Sequence, residues 1–169
     1  MDYIEKSQQV KQEILSNPKF LNITRSALNE EIEPFAFGGT VHLYQIGQLP
    51  SGLHLALRAF RTDVAEGQRD LESQMREMEH YCQNADYLHS HGDEVPKFCI
   101  GVINSSKAGI LTEDLSNGRT QEFQHHPDND YAFVGTNKRK VFVDIDGLFR
   151  FIPRLKLKYF SNEHLIKIL

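Results

Sequence analysis

Cysteine and tryptophan are scarce in this sequence. Tryptophan is absent, and Cys82 and Cys99 are the only cysteines among the 169 residues. Two cysteines are too few for a disulfide-dense secreted scaffold, so that class of protein is excluded. Because both lie in otherwise apolar stretches, we expect buried, inert thiols ahead of any redox role.

Long apolar runs are missing as well. No stretch approaches the roughly 20 residues that a membrane-spanning helix requires. The first residues, 1–5, lack the apolar segment of a secretory signal. We therefore expect no membrane span and a cytoplasmic protein in a reducing compartment.

The excess of positive charge that nucleic-acid binders usually carry is also missing. The formal net charge is −4, which argues against nucleic acid as a partner. The charge is unevenly distributed, however. Residues 137–169 hold eight lysines and arginines and three acids, a net charge of +5, which leaves −9 for the rest of the chain.

What the sequence does contain is the composition of a folded domain. Hydrophobic residues make up 40% and charged residues 25%, close to the usual values for globular proteins. The length suits one compact domain. We divide it into an N-terminal helical arm (1–33), a central region (34–116) and a C-terminal region (117–169).

Apolar periodicity predicts both helices and strands in the first third of the chain. Residues 2–15 have the pattern of an amphipathic helix, and residues 22–31 tolerate a second one. Alternating apolar residues then predict three antiparallel strands in a meander, at 33–37, 41–46 and 53–61.

The most regular pattern predicts a long helix at 65–89. Its apolar residues recur at steps of three and four and should face the sheet: Leu71, Met75, Met78, Cys82, Ala85 and Leu88. Two strands, 97–103 and 108–115, follow as a hairpin. The predicted fold class is therefore α+β, with an antiparallel sheet of about five strands and one long helix across it.

The C-terminal region has weaker patterns. Residues 131–134 and 140–145 are typical of another hairpin, and the polar residues 116–120 and 124–130 are typical of loops. Residues 162–169 have the pattern of a short amphipathic helix.

Five short segments together suggest a family. They are Phe37-Gly38-Gly39-Thr40-Val41, Leu55-Ala56-Leu57-Arg58, Glu77 on the long helix, Ile110-Leu111-Thr112-Glu113, and Val141-Phe142-Val143-Asp144-Ile145-Asp146-Gly147. In this order they resemble the glycine-rich loop, lysine strand, helix glutamate, hinge strand and metal-binding Asp of the protein-kinase-like superfamily. The central region is thus similar to the small lobe of a kinase-like fold.

The resemblance implies a nucleotide site. The backbone of Gly38, Gly39 and Thr40 would approach phosphate. Arg58 would pair with Glu77, and Thr112 and Glu113 would stand at the gatekeeper position and the hinge. ATP and magnesium are the implied cofactors, with Asp144 and Asp146 as metal ligands.

The large-lobe part of the pattern is incomplete. Asp128, in His126-Pro127-Asp128, stands where the resemblance puts a catalytic base, beside His125, and Phe133 occupies the position of a magnesium-binding Asn. Only 28 residues separate Leu115 from Asp144, and 22 follow Gly147. We therefore expect residues 117–169 to be an abbreviated remnant of the large lobe.

Each matching segment also has a structural interpretation. Arg58 and Glu77 could simply tie a strand to a helix, adjacent glycines suit a tight turn, and Asp146-Gly147 is common turn chemistry. Arg58 also differs from the usual lysine, because its planar guanidinium is larger. These departures favour a pseudokinase-type regulatory or protein-binding module with weak or no nucleotide binding. The alternative is a minimal Mg-dependent ATP phosphotransferase, and an unrelated α+β fold is the third interpretation.

The composition of residues 149–160 predicts a packing partner for this segment. Large apolar residues alternate there with cations, and burying one such apolar side chain gains roughly 1.5–3 kcal/mol. We expect this segment to pack on the arm, through Ile4, Ile14 and Leu15, or on a second chain. That chain would be another copy in a homodimer, or a different protein.

Overall fold

The computed structural model describes residues 2–37, 40–64, 67–115, 123–125, 131–134, 139–142 and 165–168. The helices within them are α1 (Tyr3–Leu15), α2 (Pro18–Leu28) and α3 (Leu71–Ser90). The strands are β1 (Ala36–Phe37), β2 (Val41–Gln48), β3 (His54–Phe60), β4 (Asp63–Val64), β5 (Gly67–Gln68), β6 (Cys99–Ile103), β7 (Ala108–Glu113), β8 (Phe123–His125), β9 (Tyr131–Val134), β10 (Arg139–Phe142) and β11 (Leu165–Lys167).

The N-terminal arm consists of α1 and α2. The Asp2 carboxylate caps α1 by accepting the Glu5 N–H at 2.8 Å, and the Glu5 side chain accepts the Asp2 N–H in return. Pro18 begins α2, because its fixed φ and missing N–H suit a first helical turn. The predicted second helix therefore exists, and it begins earlier than residue 22.

The centre of the fold is a six-stranded sheet with the order β1-β2-β3-β7-β6-β11. The first five strands pair antiparallel, which confirms the α+β prediction for them. The predicted helix at 162–169 was wrong: β11 pairs parallel with β6, with Leu165 opposite Gly101. Leu165 and Ile166 are buried in different clusters, and a short apolar run buried on both sides suits a strand as well as a helix.

The sheet is covered on both faces. Alternate side chains of β3 enter separate clusters, with Leu55 and Leu57 beneath the arm and Phe60 beneath α3. Ile14 and Phe20 contribute the arm's side of the first cluster and are almost fully buried.

The apolar residues of the arm differ in burial. Ile14 is fully buried in the cluster beneath the arm, whereas Leu15 is 41% exposed. The packing of residues 149–160 on the arm or on a second chain stays a prediction, because that segment lies outside the described residues.

Helix α3 packs on the opposite face of the sheet. Its most buried positions include Gln74, Met78, Tyr81, Ala85 and Leu88. The predicted stripe is confirmed for Met78, Ala85 and Leu88, while Leu71, Met75 and Cys82 pack partly buried at its margin. The difference arises because two polar residues, Gln74 and Tyr81, lie at the centre of the buried face.

A disulfide joins α3 to the sheet. Cys82 on the helix and Cys99 on β6 are bonded, with 5.8 Å between their Cα atoms. The prediction of two free, inert thiols was therefore wrong. The chain turns back after α3, which brings these two residues together across a sequence separation of 17.

The C-terminal region contributes a second, three-stranded sheet in the order β10-β9-β8. Its hairpin, with Lys140 opposite Phe133, confirms the one predicted from 131–134 and 140–145. Strand β8 overlaps the start of the loop predicted at 124–130, so that prediction was wrong for Gln124 and His125. In the part of the chain that the structure describes, no helix is long and apolar enough to cross a membrane.

Candidate functional site

Arg58 lies on the α3 face of the sheet. Its cross-strand neighbours are Leu43 on β2 and Ile110 on β7. The guanidinium carbon is 5.0 Å from the centroid of the Tyr81 ring on α3, which is cation–π distance. Its Nε atom is buried and has no hydrogen-bond partner. Arg58 is thus positioned by an aromatic ring.

Glu77 forms its ion pair with Arg69, which directly precedes the N-cap of α3. The distance from Arg69 Nη2 to Glu77 Oε1 is 2.7 Å, and the two side chains are 7% and 37% exposed. Neither Nη atom of Arg69 has a hydrogen-bond partner in suitable geometry. The contact with Glu77 is therefore an attraction between opposite charges and not an aligned hydrogen bond. The predicted Arg58–Glu77 ion pair was wrong, because the Glu77 carboxylate is taken by Arg69.

Arg69 owes its position to packing and helix capping. Its guanidinium carbon lies 5.4 Å from the centroid of the Phe60 ring on β3. The next residue, Asp70, caps α3 by accepting the Ser73 N–H at 2.8 Å. The cap sets where the helix begins, and it leaves the Arg69 side chain between the sheet and the first turns of α3.

Thr112 lies on the same face of the sheet as Arg58. It is opposite Ala56 on β3 and Cys99 on β6, and it is 4% exposed. Its hydroxyl oxygen is buried without a hydrogen-bond partner. Arg58 and Thr112 therefore bring two buried, unpartnered polar atoms to neighbouring strands.

Glu113 serves a contact at the end of β7. Its carboxylate accepts the Lys97 N–H at 3.2 Å and lies 3.6 Å from the Lys97 Nζ. Nearby, the Tyr3 hydroxyl donates to the Pro96 carbonyl at 2.8 Å. Burial raises the pKa of the Tyr3 phenol well above its ordinary value of 10.0, and the negative charge of Glu113 contributes. Glu113 thus ties strand β7 to the segment that leads into β6.

The remaining predicted residues fall at the edge of the described structure or beyond it. Thr40 is exposed, and its carbonyl accepts the Arg61 N–H at 2.8 Å. His125 belongs to β8. Six positions lie outside the described residues: Gly38, Gly39, His126, Asp128, Asp144 and Asp146. Over the ranges that are described, no three metal-binding side chains cluster.

The described residues meet the implied nucleotide arrangement only in part. Arg58 and Thr112 share a face of the sheet, as the resemblance requires. The strand cation and the helix acid are not paired, so Arg58 lacks the partner that would orient it toward phosphate. The described part of the site therefore does not fit a phosphate-positioning pair.

Sequence reasoning missed Arg69 and Tyr81. Tyr81 could have been found, because it is four residues after Glu77 and so lies on the same side of the helix. Arg69 precedes the helix, and no helical spacing marks it.

A separate cavity of about 330 Å³ lies between α1 and the end of α3. Its lining includes two lysines, a histidine and two acids, together with a glycine and a valine: Lys6, His89, Gly92, Asp93, Glu94, Val95 and Lys97. Its volume is at the lower end of the range found for small-molecule sites. None of the residues predicted from the sequence lines it.

No protein-family model, no curated protein and no solved structure matches this chain.

Proposed function

We propose that this chain is a degenerate kinase-like domain that acts as a regulatory or protein-binding module, with weak or no nucleotide binding. The observation that carries the proposal is the ion pair between Arg69 and Glu77. It occupies the carboxylate that would otherwise orient the cation of β3.

The physical argument concerns charge and position. Phosphoryl transfer depends on positioning and electrostatic stabilisation, so a misplaced cation loses much of its effect. Arg58 stacks against Tyr81. Its planar guanidinium differs in size and shape from the lysine ammonium group of the usual strand cation and cannot replace it. Arg69 also neutralises Glu77, which removes the electrostatic reason for Arg58 to turn toward the helix.

The protein-binding part of the proposal rests on residues 149–160. This segment alternates large apolar side chains with four cations, Arg150, Arg154, Lys156 and Lys158. The rest of the chain before residue 137 carries a net charge of −9. A sequence that interleaves large apolar residues with cations suits an acidic protein surface, and a second copy of this chain offers one.

The alternative function is a minimal Mg-dependent ATP phosphotransferase that uses Asp128 and Asp144. The observation in its favour is the pair of buried, unpartnered atoms, Arg58 Nε and Thr112 Oγ1. Buried polar atoms are nearly always paired, and oxygen atoms of a bound ligand would satisfy both.

A thermal-shift titration with ATP and Mg²⁺ or Mn²⁺ separates the two functions. A ligand at 100 times its Kd stabilises the folded state by about 2.7 kcal/mol, which raises the Tm by roughly 5–11 °C for a domain of this size. We expect a shift of less than about 1 °C at millimolar nucleotide, and no phosphotransfer. A clear shift that Asp144→Ala or Arg58→Ala abolishes, accompanied by phosphotransfer, would establish the alternative.

Light scattering at several protein concentrations tests self-association. We expect the mean mass to rise with concentration and to fall toward that of a monomer in Leu155→Asp. The matched control is Lys156→Gln, which removes one of the four positive charges and should weaken association far less. A wild-type protein that remains monomeric at every concentration would rule out the homodimer.

A further inference from the structure

The Cys82–Cys99 disulfide cross-links one helix to the sheet. Cys82 lies in the middle of α3, next to Tyr81, and Cys99 lies on β6. The bond is the covalent link between α3 and the sheet. Tyr81, which covers Arg58, is therefore one residue from the link.

The rest of the helix packing does not depend on this bond. Met78 and Ala85 are fully buried against the sheet. Gln74 accepts the Ala108 N–H at 2.9 Å at the start of the helix. The core beneath the arm is a separate cluster on the other face. Loss of the disulfide should leave a folded protein in which α3 is held by these and other non-covalent contacts.

We propose that Cys82–Cys99 is a redox-sensitive latch that fixes α3, and with it Tyr81, over Arg58. A dithiol reductant, either a small molecule or a protein, opens the latch, and an oxidant of the disulfide class closes it. The proposal does not rest on nucleotide binding or on the kinase-like resemblance.

The exchange chemistry favours attack at Cys82. It is partly exposed, whereas Cys99 is 5% exposed. A thiolate of the dithiol bonds to the Cys82 sulfur, the bond between the two cysteines breaks, and Cys99 leaves as a thiolate that takes a proton. The second thiol of the reductant then displaces Cys82, which is protonated in turn. Two electrons and two protons enter the protein, and the reductant leaves with its own disulfide.

The consequence of opening concerns Arg58. Without the covalent restraint one residue away, local motion of α3 can carry Tyr81 off the guanidinium, whose Nε is buried in the oxidised protein. Reduction therefore exposes a cation without unfolding the domain. This differs from a purely structural disulfide, whose loss would lower stability and leave the helix in place.

The test compares the oxidised protein with protein reduced by dithiothreitol. We expect reduction to lower the Tm by about 6–12 °C, from the loop entropy of a bridge of this span, with one cooperative transition retained. Hydrogen exchange of residues 71–90 should become faster. Phenylglyoxal should modify Arg58 several-fold faster, while the rate at Arg25 on α2, which contacts Asn22, should not change.

Alanine variants separate the latch from side effects of the reductant. Cys82→Ala, and independently Cys99→Ala, should reproduce the reduced state, and dithiothreitol should then have no further effect. Three results would overturn the proposal. They are full alkylation of both cysteines in the native protein without reductant, equal Arg58 reactivity and α3 exchange in both redox states, or global unfolding on reduction.

Discussion

Glu77 on α3 is paired with Arg69, at 2.7 Å between Oε1 and Nη2, and not with Arg58 on β3. Arg69 also stacks on Phe60, so a single side chain joins the first turns of the helix to the sheet. Arg58 consequently lies against the Tyr81 ring, whereas Arg69 lies against both the Glu77 carboxylate and the Phe60 ring. The two arginines should respond differently to mutation.

Substitution of Arg69 should destabilise the domain more than substitution of an exposed arginine on α3. Arg69→Ala removes a 93%-buried side chain that packs on Phe60, and leaves Glu77 unpaired, so we expect a loss of about 1–3 kcal/mol. The matched control is Arg76→Ala. Arg76 is 4.0 Å from Glu72, with both side chains more than 60% exposed, and its loss should cost no more than about 0.5 kcal/mol. Urea unfolding of both variants would check the difference, and equal losses would contradict it.

Gln74 should be essential to the junction between α3 and the β6–β7 turn. Its side chain is fully buried, and its amide accepts the Ala108 N–H at 2.9 Å and donates to the Ser106 carbonyl at 3.2 Å. Gln74→Leu keeps the volume but leaves the buried Ala108 N–H unpaired and removes the part-buried bond to the Ser106 carbonyl, so we expect a loss of about 1–3 kcal/mol in unfolding free energy.

Gln83 provides the control for that experiment. It lies on the same helix and is 8% exposed, but its amide nitrogen is buried without a partner. Gln83→Leu should therefore change stability by less than about 1 kcal/mol, in either direction. If both leucine variants lost the same stability, burial and not hydrogen bonding would explain the effect at Gln74.

The sequence predicted the long helix, but its predicted start at residue 65 was wrong: α3 begins at Leu71, and Gly67–Gln68 forms β5. The centre of α3 explains why its buried face was predicted only in part. Apolar spacing identified Met78, Ala85 and Leu88, which are buried. Gln74 and Tyr81 complete that face through polar contacts that no hydrophobic pattern can indicate. A buried polar side chain is recognised by its partners, and those are brought together only by the fold.

The errors in the candidate site and at the C-terminus have the same physical origin. The separation of Arg58 and Glu77 suited an ion pair, but a competing cation, Arg69, reaches Glu77 from outside the helix. The apolar pattern of a segment as short as 165–167 does not distinguish a helix from a strand. Pairing with β6 makes this segment a strand. The disulfide depends on how the chain returns after α3, which the spacing of two cysteines does not reveal.

Gly109 should tolerate no side chain. A Cβ atom at this position would lie 2.9 Å from the Arg58 carbonyl oxygen and 3.0 Å from Leu57 Cδ1. Because the first of these is backbone in the adjacent central strand, relief requires the sheet to shift, and we expect Gly109→Ala to cost about 1–3 kcal/mol. Ser105→Ala, at an exposed turn of the same hairpin, should cost less than about 0.5 kcal/mol. Thermal unfolding would compare the two, and a Gly109→Ala protein of wild-type Tm would show that the strands can separate without cost.

Glu30 at the end of α2 should make part of the stability depend on pH. A hydrogen bond from Lys107, at 2.6 Å, and the charge of that lysine hold the pKa of the Glu30 carboxyl below its ordinary value of 4.5. The unfolded chain therefore binds this proton more readily than the folded one. The contribution is complete above the ordinary pKa and is lost as the pH falls through the lowered value of the folded state. Since the Glu30 side chain is 61% exposed, solvent screening limits the contribution to about 1 kcal/mol at most. A double-mutant cycle of Glu30→Gln and Lys107→Met, measured by urea unfolding, should show a coupling energy at about pH 7 that declines as the pH is lowered below the ordinary pKa of 4.5. Glu31→Gln, at the exposed neighbouring glutamate, should show no coupling with Lys107→Met. A coupling energy that persisted unchanged into acid would mean that the Glu30 charge is not its source.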